Sequence, residues 1–125
     1  VDIIEPVSFK KIIPFINKYD VGLFLTKPLN KNLQYCLPNK FFEFIQARLV
    51  LAIGPLVEIS EIVKKYDLGV VAESFTPHSM AKSIKSLTDE KIMYYKNQCH
   101  RFAEGLSSER NNKKFLQIVD SLINN

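Results

Sequence analysis

The chain has 125 residues, 46% of them hydrophobic and 24% charged, a composition that fits a folded globular domain and excludes a disordered tail. That length suits one domain with its own core and is too short for two. The net charge of +4 comes from lysines scattered over predicted helix faces, with no arginine-rich or aromatic-interleaved motif, so a solvated surface is expected and no nucleic-acid partner.

Breakers and apolar runs then divide the chain into alternating strands and helices. Val1-Asp2-Ile3-Ile4 reads as a short strand closed by Pro6. Ser8 is placed to cap a helix running through Tyr19, with Ile12, Ile13, Phe15 and Ile16 as its apolar content. Pro14 in its interior predicts a kink or a shortened helix. Val21 to Leu25 is a continuous apolar run of the buried-strand kind, in which Gly22 permits close backbone approach. No period holds from Thr26 to Leu37, so a long loop is expected there. It carries the chain to the edge of a parallel sheet where ligands bind.

Pro38 has no N–H to lose at a first helical position and so reads as a helix start. The backbone N–H groups of Asn39 and Lys40 are then free donors at the positive end of the helix dipole, and Lys40 adds a full charge. Glu43 falls about one turn further on the same face, where its carboxylate can accept from hydroxyls beside a bound phosphate. Phosphate donors next to a hydroxyl acceptor suit the ribose and phosphates of a nucleotide. Phe41, Phe42, Phe44 and Ile45 supply core, the Phe41-Phe42 pair anchoring the helix.

The strand-and-helix unit repeats. Leu49 to Ile53 is a buried strand, Leu56 to Lys65 a helix with Ile59, Ile62 and Val63 inward, Leu68 to Val71 a strand, and Pro77 to Leu87 a helix begun by Thr76-Pro77. Strands joined through helices imply an α/β fold, a Rossmann-like parallel sheet with helices on both faces. Two C-terminal helices end it: Asp89 to Glu104 and, past an interruption near Gly105, Ser107 to Ile123. The last is fixed by Phe115, Leu116, Ile118, Val119, Leu122 and Ile123. Tyr94, Tyr95 and Phe102 are expected to pack. Cys36 and Cys99 read as free thiols of a reducing cytosol, and neither they nor His78 and His100 have metal-ligand spacing, so no metal is expected. No apolar run is long enough to cross a bilayer and no signal peptide is recognisable. No residue stands out as a catalytic acid or base.

Leu37-Pro38-Asn39-Lys40-Phe41-Phe42-Glu43-Phe44-Ile45 and the apolar run that follows resemble the pattern LPNK(L/F)FEY(L/M)AxGxPVIA. That pattern belongs to the C-terminal domain of GT-B glycosyltransferases, in particular the retaining enzymes of the family-4 type (glycosyl transferases group 1). Val1 to Val7 looks like the family strand and base-side loop, Tyr19 to Leu25 like its "xxDVGLxP" strand, and Tyr66 to Val71 like its "xxxxGxxV" strand. The resemblance spans nearly the whole chain in order. It implies the donor-binding half of a metal-independent enzyme that needs no cofactor and moves a sugar from a UDP- or GDP-linked donor to a glycan or lipid-linked acceptor.

The same resemblance gives Glu43 the ribose hydroxyls, sets Pro38, Asn39 and Lys40 beside the phosphates and puts the Pro6-Val7 loop near the base. It also implies a fragment of a longer two-domain protein, with an N-terminal domain as partner, and a cytoplasmic location with peripheral association at the inner membrane face. The family's first motif glutamate, eight positions before the second, is here Tyr35. Two alternatives stand beside this reading: a nucleotide-sugar epimerase of the same fold, and a non-catalytic nucleotide-binding or interaction module.

Overall fold

The computed structural model describes residues 1–124. Three parallel strands form its centre: β1 (Val21–Phe24), β2 (Val50–Ile53) and β3 (Gly69–Val71), in the order β1-β2-β3. Val21 lies opposite Val50, and Leu51 opposite Gly69. All four residues of β2 are fully buried, because the strand is hydrogen-bonded on both edges and covered on both faces. That double cover explains a continuous apolar run in place of alternation.

Side chains of β2 alternate between two cores. Leu51 and Ile53 join the larger one, with Phe41 and Ile45 of α3 (Asn39–Gln46) and Ile59 and Val63 of α4 (Val57–Tyr66). Ala52 joins the smaller, with Ala72 and with Met80 and Ile84 of α5 (Pro77–Lys85). The two crossover helices α3 and α4 therefore share one face and α5 covers the other. Right-handed crossovers that step the same way across a sheet give this arrangement. The fold is α/β, a three-stranded parallel sheet flanked by helices, as the sequence implies.

Two glycines are required by close approach. A Cβ on Gly22 would stand 2.5 Å from the ring carbons of Phe44, which packs flat on β1 from α3, and a Cβ on Gly69 would run into the Leu51 carbonyl of β2. At the end of α3 a left-handed residue is needed, and it is Arg48, with φ of 61°. Its N–H bonds to the Ile45 carbonyl at 3.0 Å and that of Leu49 to Phe44 at 3.0 Å, the paired closure of a Schellman turn. The Arg48 guanidinium donates to the Gln46 carbonyl and, at 3.3 Å, to His100 Nδ1.

Helix α6 (Asp89–Phe102) lies across the amino ends of all three strands. Lys96 Nζ reaches Asp20 Oδ1 at 3.0 Å just before β1, and Cys99 Sγ donates to the Leu49 carbonyl at 3.1 Å just before β2. Gln98 Nε2 donates to the Tyr66 carbonyl at 3.2 Å and Tyr94 Oη to Asp67 Oδ2 at 2.7 Å, both just before β3. Tyr94 is thus a half-exposed hydrogen-bond donor and not only a packing residue, and its hydroxyl pKa is raised by that bond to Asp67. Phe102 does pack, its ring 4.7 Å from that of Tyr66.

Both ends of the chain depart from expectation. Val1 to Ile4 is not a strand: no other strand pairs with it, and Val1 and Ile3 are fully exposed. The segment from Ser8 is a 3-10 turn, Phe9–Lys11, followed by a short helix, α1 (Ile12–Ile16). Ser8 makes no side-chain cap, and Pro14 holds the helix to five residues. The expected loop before Pro38 contains a helical turn, α2 (Lys31–Gln34), capped by Asn30 Oδ1, which accepts from the Leu33 N–H at 2.9 Å. Helix α7 (Ser108–Ile123) forms, with Ser107 Oγ capping the Arg110 N–H, but its apolar side does not fix it to the domain. Phe115, Leu122 and Ile123 are 64%, 75% and 74% exposed.

Three outcomes follow. Gly22→Ala should lower the urea midpoint by an amount equal to about 1–3 kcal/mol with an unchanged m-value, and should cost far less in a Phe44→Ala background, where the ring it strikes is gone. Burial pushes the Cys99 thiol up to about 12 from 9.0. The folded state thus keeps a proton that the unfolded chain releases, and stability should fall as pH rises from about 9 towards 12. In native protein, alkylation should modify the half-buried Cys36 and spare Cys99 until the chain unfolds.

Candidate functional site

The carboxyl edge of the sheet is where the chain leaves β2 and β3 directly into α4 and α5, and leaves β1 through the segment carrying α2 into α3. Helix α3 starts one residue later than the sequence suggests. Pro38 is its N-cap, with extended backbone at φ −69° and ψ 145°, and Asn39 is its first helical residue. A proline at N-cap has no side-chain oxygen to offer, so no side chain caps this end. The Phe41 N–H turns back to the Pro38 carbonyl at 3.0 Å, leaving the amides of Asn39 and Lys40 as the outward donors of the first turn.

Four residues of α3 spaced along one flank, Asn39, Phe42, Glu43 and Gln46, line a cavity of about 400 Å³. Its second wall is Phe9 and Ile13, from the 3-10 turn and α1, which packs against α3. The third is Leu106 with Ser108, Glu109 and Asn111 of the first turn of α7. The cavity thus runs along the side of α3 between its two neighbours. No residue of the strands or of the 26–37 segment lines it. Its floor is fixed by the opposite side of α3, where Phe41 and Ile45 are buried in the larger core. The Phe41 and Phe42 rings meet edge to face at 5.3 Å, so that one holds the helix and the other shapes the wall.

Of the residues singled out from sequence, Glu43 and Asn39 line this cavity together. Pro38, Lys40 and Val7 do not, although the segment after Val7 contributes Phe9. Lys40 is exposed, and Val7 and Pro38 are partly buried. Tyr35 is 53% exposed and also lies off the cavity. The Glu43 carboxylate is half-buried and takes no part in either ion pair among the described residues, Lys82 with Glu73 and Lys96 with Asp20. It is free to accept hydrogen bonds from a ligand.

Gln46 has a second task. Its Nε2 donates to the Ala103 carbonyl at 2.7 Å, which ties the far end of α3 to the end of α6 and holds the turn that leads into α7. Phe42 and Gln46 could have been found by extending the Asn39–Glu43 spacing through the helix period. Nothing in the sequence signals that Glu109 and Asn111, more than sixty positions away, form the facing wall.

Chemically the cavity offers two carboxylates, Glu43 and Glu109, three carboxamides, Asn39, Gln46 and Asn111, the Ser108 hydroxyl, and the apolar surfaces of Phe9, Ile13, Phe42 and Leu106. Acceptors and amide groups against aromatic surface suit a hydroxyl-rich molecule with a flat or apolar part. Among the described residues, no helix is long and apolar enough to cross a membrane. Together these features define an α/β domain, a three-stranded parallel sheet flanked by helices and consistent with a Rossmann-like fold, with a cavity of mixed polar and apolar lining beside its first crossover helix. Comparison with protein-family models, with curated proteins and with solved structures finds no match to this chain.

Proposed function

We propose that the chain is the nucleotide-sugar-binding half of a retaining GT-B glycosyltransferase, working with a second domain to move a sugar from a UDP- or GDP-linked donor to a glycan or lipid-linked acceptor. The observation that carries this reading is the joint position of Glu43 and Asn39 on one open cavity, at a helix start that no side chain caps. The motif resemblance over Leu37 to Ile53 supports it from the sequence side.

In this reading the ribose hydroxyls donate to the Glu43 carboxylate, and the donor phosphates face the free amides of Asn39 and Lys40. Lys40 adds its charge from outside the cavity. Phe9 and Ile13 supply the apolar surface on the base side, the part that resemblance gives to the loop at Val7. Catalysis in such an arrangement is mostly positioning and stabilisation of the departing diphosphate, for which oriented amides are suited. The domain by itself holds one wall of the cleft and is expected to bind the donor without turning it over. The site of action in this reading is the cytoplasmic face of a membrane.

Titration calorimetry of UDP and of GDP against the wild type and Glu43→Ala tests the proposal. One nucleotide should bind the wild type, and the variant should weaken it by about 10- to 100-fold, the effect of losing hydrogen bonds to a charged acceptor. Equal binding of both nucleotides by wild type and variant would remove Glu43 from the site and the proposal with it.

A further inference from the structure

A second cavity, about 740 Å³, opens on the other side of the turn between α6 and α7. Its inner wall is Tyr66 at the end of α4, Phe102 at the end of α6, and the Gly105-Leu106 turn. Its outer wall is α7, which contributes Arg110, Lys113, Lys114 and Gln117. These four are spaced i, i+3, i+4 and i+7, so they form one face of the helix. That face borders the groove. The apolar residues of the same helix, Phe115, Val119, Leu122 and Ile123, occupy its other side.

No carboxylate lines this cavity. Of the acids next in sequence to its walls, Asp67 accepts from the Tyr94 hydroxyl and Glu109 faces the other cavity, while Glu104 is exposed. Neither ion pair among the described residues involves Arg110, Lys113 or Lys114. Further positive charge stands over the two aromatic walls: Lys65 Nζ lies 5.3 Å from the centre of the Tyr66 ring, and the Arg101 guanidinium 5.5 Å from that of Phe102. Three cations thus line a recess whose lining supplies no counter-charge, and two more stand beside its aromatic walls. Three like charges within two turns of one helix repel each other, and no ion pair among the described residues offsets this. A bound anion would supply the counter-charge.

We propose that this groove binds a ligand carrying two or more adjacent phosphate groups, held by Arg110, Lys113 and Lys114. Arginine engages phosphate oxygens through a two-pronged pair of N–H donors, and lysines add point charges that swivel to suit. A recess of this volume admits a small molecule or a single lipid headgroup. The site is separate from the Glu43 cavity and does not depend on what that cavity holds.

The test is titration of inorganic pyrophosphate into the wild type and into a triple variant, Arg110→Gln with Lys113→Gln and Lys114→Gln. All three side chains are exposed, so the variant should keep its circular dichroism spectrum and melting temperature. A control with the same charge change, Lys27→Gln with Lys31→Gln and Lys85→Gln, lies away from the groove. Saturable binding to wild type and control, weakened at least tenfold in the triple variant and falling with added salt, is the expected result.

Co-sedimentation with phosphatidylcholine vesicles carrying phosphatidylinositol 4,5-bisphosphate, whose headgroup has two adjacent phosphates, against phosphatidylcholine alone, separates the sources. Binding to the anionic vesicles that the triple variant loses places the phosphates on a lipid, and binding to pyrophosphate alone places them on a soluble ligand. Equal affinities in triple variant and control, or no binding in either assay, overturns the proposal. The triple variant should keep the nucleotide binding that Glu43→Ala weakens, so failure of the nucleotide reading and failure of this one give different patterns.

Discussion

Everything else in the domain is arranged around a strand that water never reaches. Val50, Leu51, Ala52 and Ile53 are paired on both edges and covered on both faces, and at about 25 cal/mol per Å² such a run is the largest concentrated source of apolar burial in the chain. Because β2 cannot tolerate a gap on either side, α3 and α4 must close one face and α5 the other. Close approach is enforced where Gly22 receives the Phe44 ring and where Gly69 meets the Leu51 carbonyl. These contacts set the height and rotation of α3, and with them the direction in which Glu43 points.

The sheet is polarised by α6. Four of its side chains reach backbone or carboxylate oxygens at the entries to the three strands, and the Cys99 thiol is buried among them. That edge is closed. The opposite edge carries three helix starts, of which α5 is capped by Thr76 Oγ1 while α3 and α4 have no side-chain cap. Where one end of a small sheet is sealed by a helix, binding chemistry is left to the other end and to the flanks of the helices that start there. The Glu43 cavity lies on such a flank, along α3, and not across the tips of the strands.

Most of the layered architecture was legible because burial leaves a strong trace in composition. The apolar run at Leu49–Ile53, the inward Ile59 and Val63, the Thr76-Pro77 start and the Ser107 cap all act over a few residues, and each lies within one residue of its expected place. Errors came where the outcome depends on what lies across space. Val1-Asp2-Ile3-Ile4 has the residue types of a strand, but a strand exists only with a hydrogen-bonded neighbour, and neither β1 nor β3 provides one. Asn30 is a good helix cap by residue type, but the helix it starts is only one turn long and leaves no period in the sequence. In the site, Asn39 and Glu43 could be paired from the helix period alone. Lys40 shares that approximate face, yet points to solvent, since one residue is about 100° of rotation.

Helix α7 is the element whose amphipathic pattern was read correctly and whose orientation was not. Periodicity states that one side is apolar, and it does not say which side meets the domain. Here the cationic side lines a groove beside the domain, and Phe115, Leu122 and Ile123 of the apolar side are exposed. The same helix contributes to both cavities, with Glu109 walling the one that holds Glu43 and Arg110, Lys113 and Lys114 walling the other, while Leu106 and Asn111 line both. Acidic groups therefore face one cavity and basic groups the other, across a single turn. A rigid rotation or shift of α7 about its Ser107 cap changes the size of both cavities at once. Whatever fixes the position of α7 thus fixes the shape of the two sites together, and the Gln46 bond to Ala103 ties α3 to the end of α6 just before that turn.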